Sequence, residues 1–131
     1  MIALDTNVVV RFLVEDDKTQ SAKAARLIDQ AIARDQTLFV SEVVLCETVW
    51  VLRSSYRVSR AAVAEVLGQL LKATHLTFPD ADALLRALAA FAAGKGDFAD
   101  YVIQEEARAG GCVGVATFDK TLLQEKGFSS P

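Results

Sequence analysis

Histidine occurs once, cysteine twice and proline twice in these 131 residues, and no apolar run approaches the length of a membrane span. Each scarcity removes a class of chemistry. Cys46 and Cys112 have neither metal-ligand spacing nor a disulfide framework around them, so both read as small core residues. His75 has no ligand-type residue near it in sequence and reads as structural or solvent-exposed. Ser41, Thr6 and Thr117 therefore lack the adjacent base that a covalent nucleophile requires. The first residues carry no basic leader, and nothing resembles a signal peptide, which predicts a cytoplasmic protein with no membrane contact.

What remains is the composition of a globule: 52% hydrophobic and 24% charged residues, with no low-complexity portion. The length suits one domain over residues 1–131 with a full core. A net charge of -3 and a pI near 5.1 argue against broad coating of nucleic acid. A local basic rim stays compatible with them if the acidic excess is gathered in one hollow.

Met1-Ile2-Ala3-Leu4-Asp5 reads as a buried strand running into a carboxylate. Ligand crevices in open parallel sheets lie at the carboxyl ends of strands, so Asp5 has a functional reading there; capping the next helix is the other reading. Thr6-Asn7 offers a cap for a short helix from Val8 to Val14, closed by Glu15-Asp16-Asp17. Helical spacing of Ala22, Ala25, Leu27, Ile28, Ala31 and Ile32 predicts an amphipathic helix from Lys18 to Arg34. Thr37 to Val40 is a strand, and Ser41 caps a helix from Glu42 to about Tyr56. In that helix Val43, Val44, Trp50 and Val51 lie three and four residues either side of Glu47, which places Glu47 on an apolar face. A carboxylate buried there must be protonated, paired with an arginine, or holding a cation.

Arg53 to Arg60, with three arginines and Tyr56, suits either a nucleic-acid rim or a solvated connection between helices. A helix from Arg60 to Lys72 follows, then a strand from His75 to Phe78. Pro79 is expected at the first position of the next helix, with Asp80 and Asp82 in its first turn and Gly94 at its end. Gly94-Lys95-Gly96-Asp97-Phe98-Ala99 matches a dinucleotide fingerprint formally, but an alanine-rich helix precedes it where a strand is required. Asp97 caps a helix from Phe98 to Ala109, and Asp100 falls on the face shared by Ile103 and Ala107. Gly110-Gly111 breaks the chain before a strand from Cys112 to Thr117, whose Gly114 signals close approach of another backbone. Thr117-Phe118-Asp119 repeats the strand-into-Asp arrangement. A short helix from Lys120 to Lys126 leaves little room for a closing strand.

The alternating order predicts an α/β fold, a parallel sheet of four to five strands with helices on both faces. Asp5, Glu47, Asp119 and the pair Asp97 and Asp100 then converge on the side where strands end. Such a cluster repels itself: two charges roughly 4 Å apart cost about 4 kcal/mol at an effective dielectric of about 20. A divalent cation relieves that, and oxygen ligands without His or Cys select Mg²⁺ or Mn²⁺. Metal-assisted hydrolysis of a phosphodiester is the reaction such a site supports.

Leu4-Asp5-Thr6-Asn7, the segment Ser41 to Leu52 around Glu47, Asp97-Phe98-Ala99-Asp100-Tyr101-Val102-Ile103 and Ala116-Thr117-Phe118-Asp119-Lys120 resemble, in order, the four motifs of PIN-domain nucleases. More narrowly they resemble VapC-type toxins of bacterial toxin–antitoxin pairs. The resemblance implies a three-layer α/β/α sandwich. It implies that Asp5, Glu47, Asp100 and Asp119 form the catalytic and metal-binding set, with Asp97 an additional metal ligand and Thr6 and Thr117 orienting hydroxyls. It further implies an Mg²⁺- or Mn²⁺-dependent endoribonuclease acting on structured RNA such as tRNA or rRNA, a homodimer, and a cognate VapB-type antitoxin as partner.

Rival readings fail on particular residues. A haloacid-dehalogenase-like phosphatase needs a second Asp where Asn7 stands, and a phosphoacceptor receiver domain needs paired acids after its first strand. A PIN-like scaffold that binds RNA or protein without cutting is the alternative that the acidic set does not exclude.

Overall fold

The computed structural model describes residues 1–131. Its strands and helices run in the order β1 (Ile2–Ala3), α1 (Thr6–Leu13), α2 (Lys18–Ala33), β2 (Leu38–Phe39), α3 (Glu42–Ser54), α4 (Arg60–Lys72), β3 (Leu76–Thr77), α5 (Ala81–Ala93), α6 (Phe98–Ala109), β4 (Val115–Ala116) and β5 (Phe128–Ser129), with a 3₁₀ turn at Leu122–Gln124. All strand pairs are parallel, as the alternation predicts, and the fold is α/β. No helix is long and apolar enough to cross a membrane.

Local chemistry starts every helix. Asp17 Oδ1 accepts from the Gln20 amide at 3.0 Å, Ser41 Oγ from Val44 at 3.2 Å, Ser59 Oγ from Ala62 at 3.2 Å and Asp80 Oδ1 from Ala83 at 3.0 Å. Each such cap is worth about 1 kcal/mol. Two starts differ from expectation. Asp80 is the cap of α5, which leaves Pro79 outside the helix, and α1 begins at Thr6 because Asp5, not Thr6-Asn7, caps it. The expected helix from Lys120 to Lys126 shrinks to the single 3₁₀ turn.

One apolar core runs through the molecule. Leu45, Val49 and Leu52 of α3, Val63, Leu67 and Leu71 of α4, Leu84, Leu88 and Phe91 of α5 and Phe98, Tyr101 and Val102 of α6 are all buried in it. The rings of Phe91 and Phe98 meet edge to face at 6.2 Å, across the turn that joins α5 to α6. Across the molecule, Arg11 bonds Asp16 at 2.9 Å and Gln20 at 2.7 Å while the Tyr56 hydroxyl donates to Asp16 at 2.7 Å, tying α1, the turn after it and the end of α3.

The sheet departs from expectation. Five strands form, but in two pieces: β1, β2 and β3 pair in that order, and β4 pairs only with β5. β4 is built from two residues of the six expected, and the segment before it is solvent-facing, with Val113 fully exposed and Cys112 exposed. Cys112 is thus no core residue; Cys46 is half-buried, and burial pushes its thiol up to about 11. The expected close approach at Gly114 is present: a Cβ there would stand 2.9 Å from the Gly127 carbonyl oxygen. The C-terminal pair is anchored on α6 instead of on β1. Tyr101 packs edge to face on Phe128 at 6.3 Å, and its hydroxyl donates to the Glu125 carboxylate at 2.7 Å while accepting from the Gly96 amide at 3.0 Å.

Two acids couple the helices, Glu105 buried and Glu42 half-buried. Glu105 of α6 holds Arg86 of α5 and Arg108, each at 2.6 Å. Both arginines are largely exposed and rehydrate when released, so Glu105→Ala is expected to cost about 2 kcal/mol, the scale of charged hydrogen bonds, rather than the larger penalty of a stranded buried ion. Urea denaturation measures it, and an unchanged midpoint would mean that the clamp is idle. Between α3 and α6, a hydrogen bond to Glu106 together with burial and the charges of Glu106 and Asp80 raises the Glu42 carboxyl from 4.5 to about 7. Folding favours the protonated form, so its contribution is complete below pH 4.5 and disappears as pH rises through 7. Glu42→Gln is expected to raise Tm by about 3 °C at pH 8, equivalent to ~1 kcal/mol, with no gain at pH 4. Equal shifts at the two pH values would exclude this pair as the cause.

Candidate metal centre

Asp5 follows β1, and its Oδ1 accepts from the Thr6 amide at 2.8 Å. The side chain is exposed, and its second oxygen has no protein partner. Thr6 is buried, and its hydroxyl is the one buried side-chain polar atom left without a hydrogen bond. An unsatisfied interior hydroxyl beside a free carboxylate oxygen is the kind of group that a site water or an ion's hydration shell completes.

A second acidic group forms at the start of α6. Asp97 is the N-cap, and its amide donates to Asp100 Oδ2 at 2.8 Å, so the cap bond runs from the third helical residue back to the cap. Asp100 is half-buried, and desolvation raises its carboxyl above the usual carboxylate range. The bond from Asp97 opposes that rise, while the charges of Asp97, Asp119 and Glu125 add to it. Asp119 reaches this group from beyond β4. Its turn is held at both ends: its own amide donates to the Thr117 hydroxyl at 3.0 Å, and its Oδ1 accepts from the Thr121 amide at 2.8 Å. Glu125 went unnoticed in the sequence, where it is an ordinary acid in a polar tail; only the Tyr101 hydroxyl bond reveals its place.

Glu47 is not where the apolar spacing puts it. The buried side of α3 is Leu45, Thr48, Val49 and Leu52. Glu47 is exposed on the opposite side, between Val43 at 67% and Trp50 at 65% exposure, and no arginine pairs with it. Its neighbours are apolar as expected, but nothing covers them. Beside this face a groove of about 440 Å³ separates α3 from the start of α6, with Trp50, Arg53, Arg57 and Asp97 on its walls.

The side chains as they stand do not form the expected single metal-holding hollow. Asp97, Asp100 and Asp119 share one neighbourhood at α6, whereas Asp5 with Thr6 and Glu47 stand on other elements. No three Asp, Glu, His or Cys side chains come close enough together to hold a metal ion. The donor set fits a hard divalent cation in type, being carboxylates and hydroxyls without His or Cys, but its placement does not close around one.

No curated protein matches the chain. A family model, the PIN domain, matches residues 2–128, a span that contains all four acidic motifs and both acidic groups. With α/β architecture, parallel strands and that match over nearly its whole length, the chain belongs to the PIN-domain family.

Proposed function

We propose that the chain is an endoribonuclease that hydrolyses phosphodiester bonds of structured RNA such as tRNA or rRNA, and that it is the toxin of a VapBC-type pair. PIN domains are generally metal-dependent nucleases, which supports the reaction class. The observation that carries the reading further is the state of the acids. Asp5, Asp100 and Asp119 each fix one carboxylate oxygen on a main-chain amide and leave the other without a protein donor. Oriented carboxylates with a free oxygen are what phosphodiester hydrolysis requires of a protein. Asp5, Glu47, Asp100 and Asp119 would hold Mg²⁺ or Mn²⁺, with Asp97 as a further ligand, and the cation would supply water activation and charge neutralisation at the phosphate. The Thr117 hydroxyl fixes the Asp119 turn, and the Thr6 hydroxyl beside Asp5 is open to a site water. Homodimerisation and restraint by a VapB-type antitoxin belong to the same proposal and rest on the motif resemblance.

That no three acids stand close enough together to hold a metal ion favours a second reading, a PIN-like module that binds RNA or protein without cutting. Cleavage assays decide between them. RNA digestion with Mg²⁺ or Mn²⁺ should proceed and stop with chelator, and Asp5→Asn should slow it about 100-fold or more, the scale for a group acting at the reacting atoms. Full activity of folded Asp5→Asn protein would refute the mechanism, and no metal-dependent cleavage of any RNA would leave the binding module. For the toxin role, expression should arrest growth, and the product of the adjacent upstream reading frame should relieve it; indifference to that product would contradict the assignment.

A further inference from the structure

The groove between α3 and α6 brings together features that the acidic site does not use. Its floor is apolar, formed in part by the buried Val49 and Phe98. On its wall stands Trp50, the only tryptophan in the chain, with 65% of its surface exposed. Arg53 and Arg57 line the same groove, both exposed and neither paired with a carboxylate. The basic turn is therefore split by its surroundings. Arg60 donates to the Phe91 carbonyl at 2.7 Å and lies 4.2 Å over that ring, and Tyr56 is bound to Asp16. Arg53 donates once, to the Val58 carbonyl at 3.2 Å, and Arg57 has no side-chain hydrogen bond. Arg57 also sits at φ 53°, the left-handed region, in the turn that closes the groove.

We infer that this groove is a subsite for one nucleotide of single-stranded RNA, with the base stacked on Trp50 and a neighbouring phosphate held by Arg53 and Arg57. An exposed indole beside two free guanidiniums offers a stacking platform together with planar phosphate donors. Charge fixes the direction. Asp97 lines the groove at the start of α6 and repels phosphate, so the phosphate lies at the arginine end and the base between. The carboxyl end of α3 is also there, and its exposed carbonyls work against an anion, so the guanidiniums must supply the attraction. A focal contact of this kind fits a chain of net charge -3, which does not bind nucleic acid through its whole surface.

This inference deepens the proposed function by naming how substrate is held beside the α6 acids, and its test does not depend on cleavage. A fluorescein-labelled single-stranded oligoribonucleotide of about twelve nucleotides is titrated into the full chain in EDTA, with Trp50 emission and label anisotropy read together. Binding should quench Trp50. Trp50→Leu should raise Kd about tenfold. Arg53→Gln with Arg57→Gln should lower the slope of log K against log salt by about 0.7, the share of one neutralised single-strand phosphate. All three are surface changes, and circular dichroism should show the fold intact. Anisotropic binding without a change in Trp50 emission, unchanged affinity and salt slope in the variants, or no binding at low salt would each overturn the subsite. A change of sedimentation on Trp50→Leu with RNA affinity unaltered would also overturn it, and would make the groove a contact between copies. A protein that quenches but never cuts RNA keeps the subsite and loses the nuclease reading; one that cuts without quenching does the reverse.

Discussion

The Tyr101 hydroxyl is the point on which the arrangement of the chain's second half depends. It donates to Glu125, accepts from the Gly96 amide, and its ring packs on Phe128, so one buried side chain of α6 fixes both the turn before that helix and the C-terminal segment after it. A Cβ on Gly94 or Gly96 would run into this hydroxyl's surroundings, which is why both positions in the turn are glycine. With the segment held there, β4 pairs with β5, and Asp119 comes near Asp100 at the start of α6.

That placement sets the electrostatics of the site. Burial first, and then the charges of Asp97, Asp119 and Glu125, raise the cost of ionising Asp100, the most enclosed of the three candidate ligands. The amides at the start of α6 and in the Asp119 turn offset part of it by donating to two of these carboxylates. Asp5 makes the same kind of bond at α1. The protein thus meets the demand of Asp5, Asp100 and Asp119 locally, with main-chain donors to one oxygen of each. Glu47 is the exception, exposed and without any donor among an apolar strip that includes Trp50.

How much of this was legible in the sequence follows from the range of each interaction. The starts at Ser41 and Asp97 were, because these side chains act within three residues of themselves, whereas Asp80 took the cap of α5 where Pro79 was expected to begin the helix. The places of β1 to β4 were, because short apolar runs between breakers have few other outcomes, but β5 at Phe128–Ser129 formed where little room for a strand was expected. Strand pairing was not: whether β4 lies against β1 or over α6 is decided by contacts such as Tyr101 with Glu125, remote in the chain. The face of Glu47 shows a related limit. Spacing correctly groups it with Val43 and Trp50, but spacing states which side chains share a face, not whether another element covers that face. The acids themselves were found by type and position, and the burial that separates Asp100 from the exposed Asp97 was visible only in three dimensions.

The central claim is that acids on separate elements serve one cation and one phosphodiester. Electron paramagnetic resonance of bound Mn²⁺ tests it most directly, with the wild-type chain set against Asp5→Asn, Glu47→Gln, Asp100→Asn and Asp119→Asn. The account predicts that each variant weakens the same Mn²⁺ site by about tenfold or more, as loss of a ligand or its immediate support does. Mn²⁺ affinity that falls with Asp100→Asn and Asp119→Asn but stays at the wild-type value in Asp5→Asn and Glu47→Gln would contradict it, leaving a cation held by the α6 acids alone.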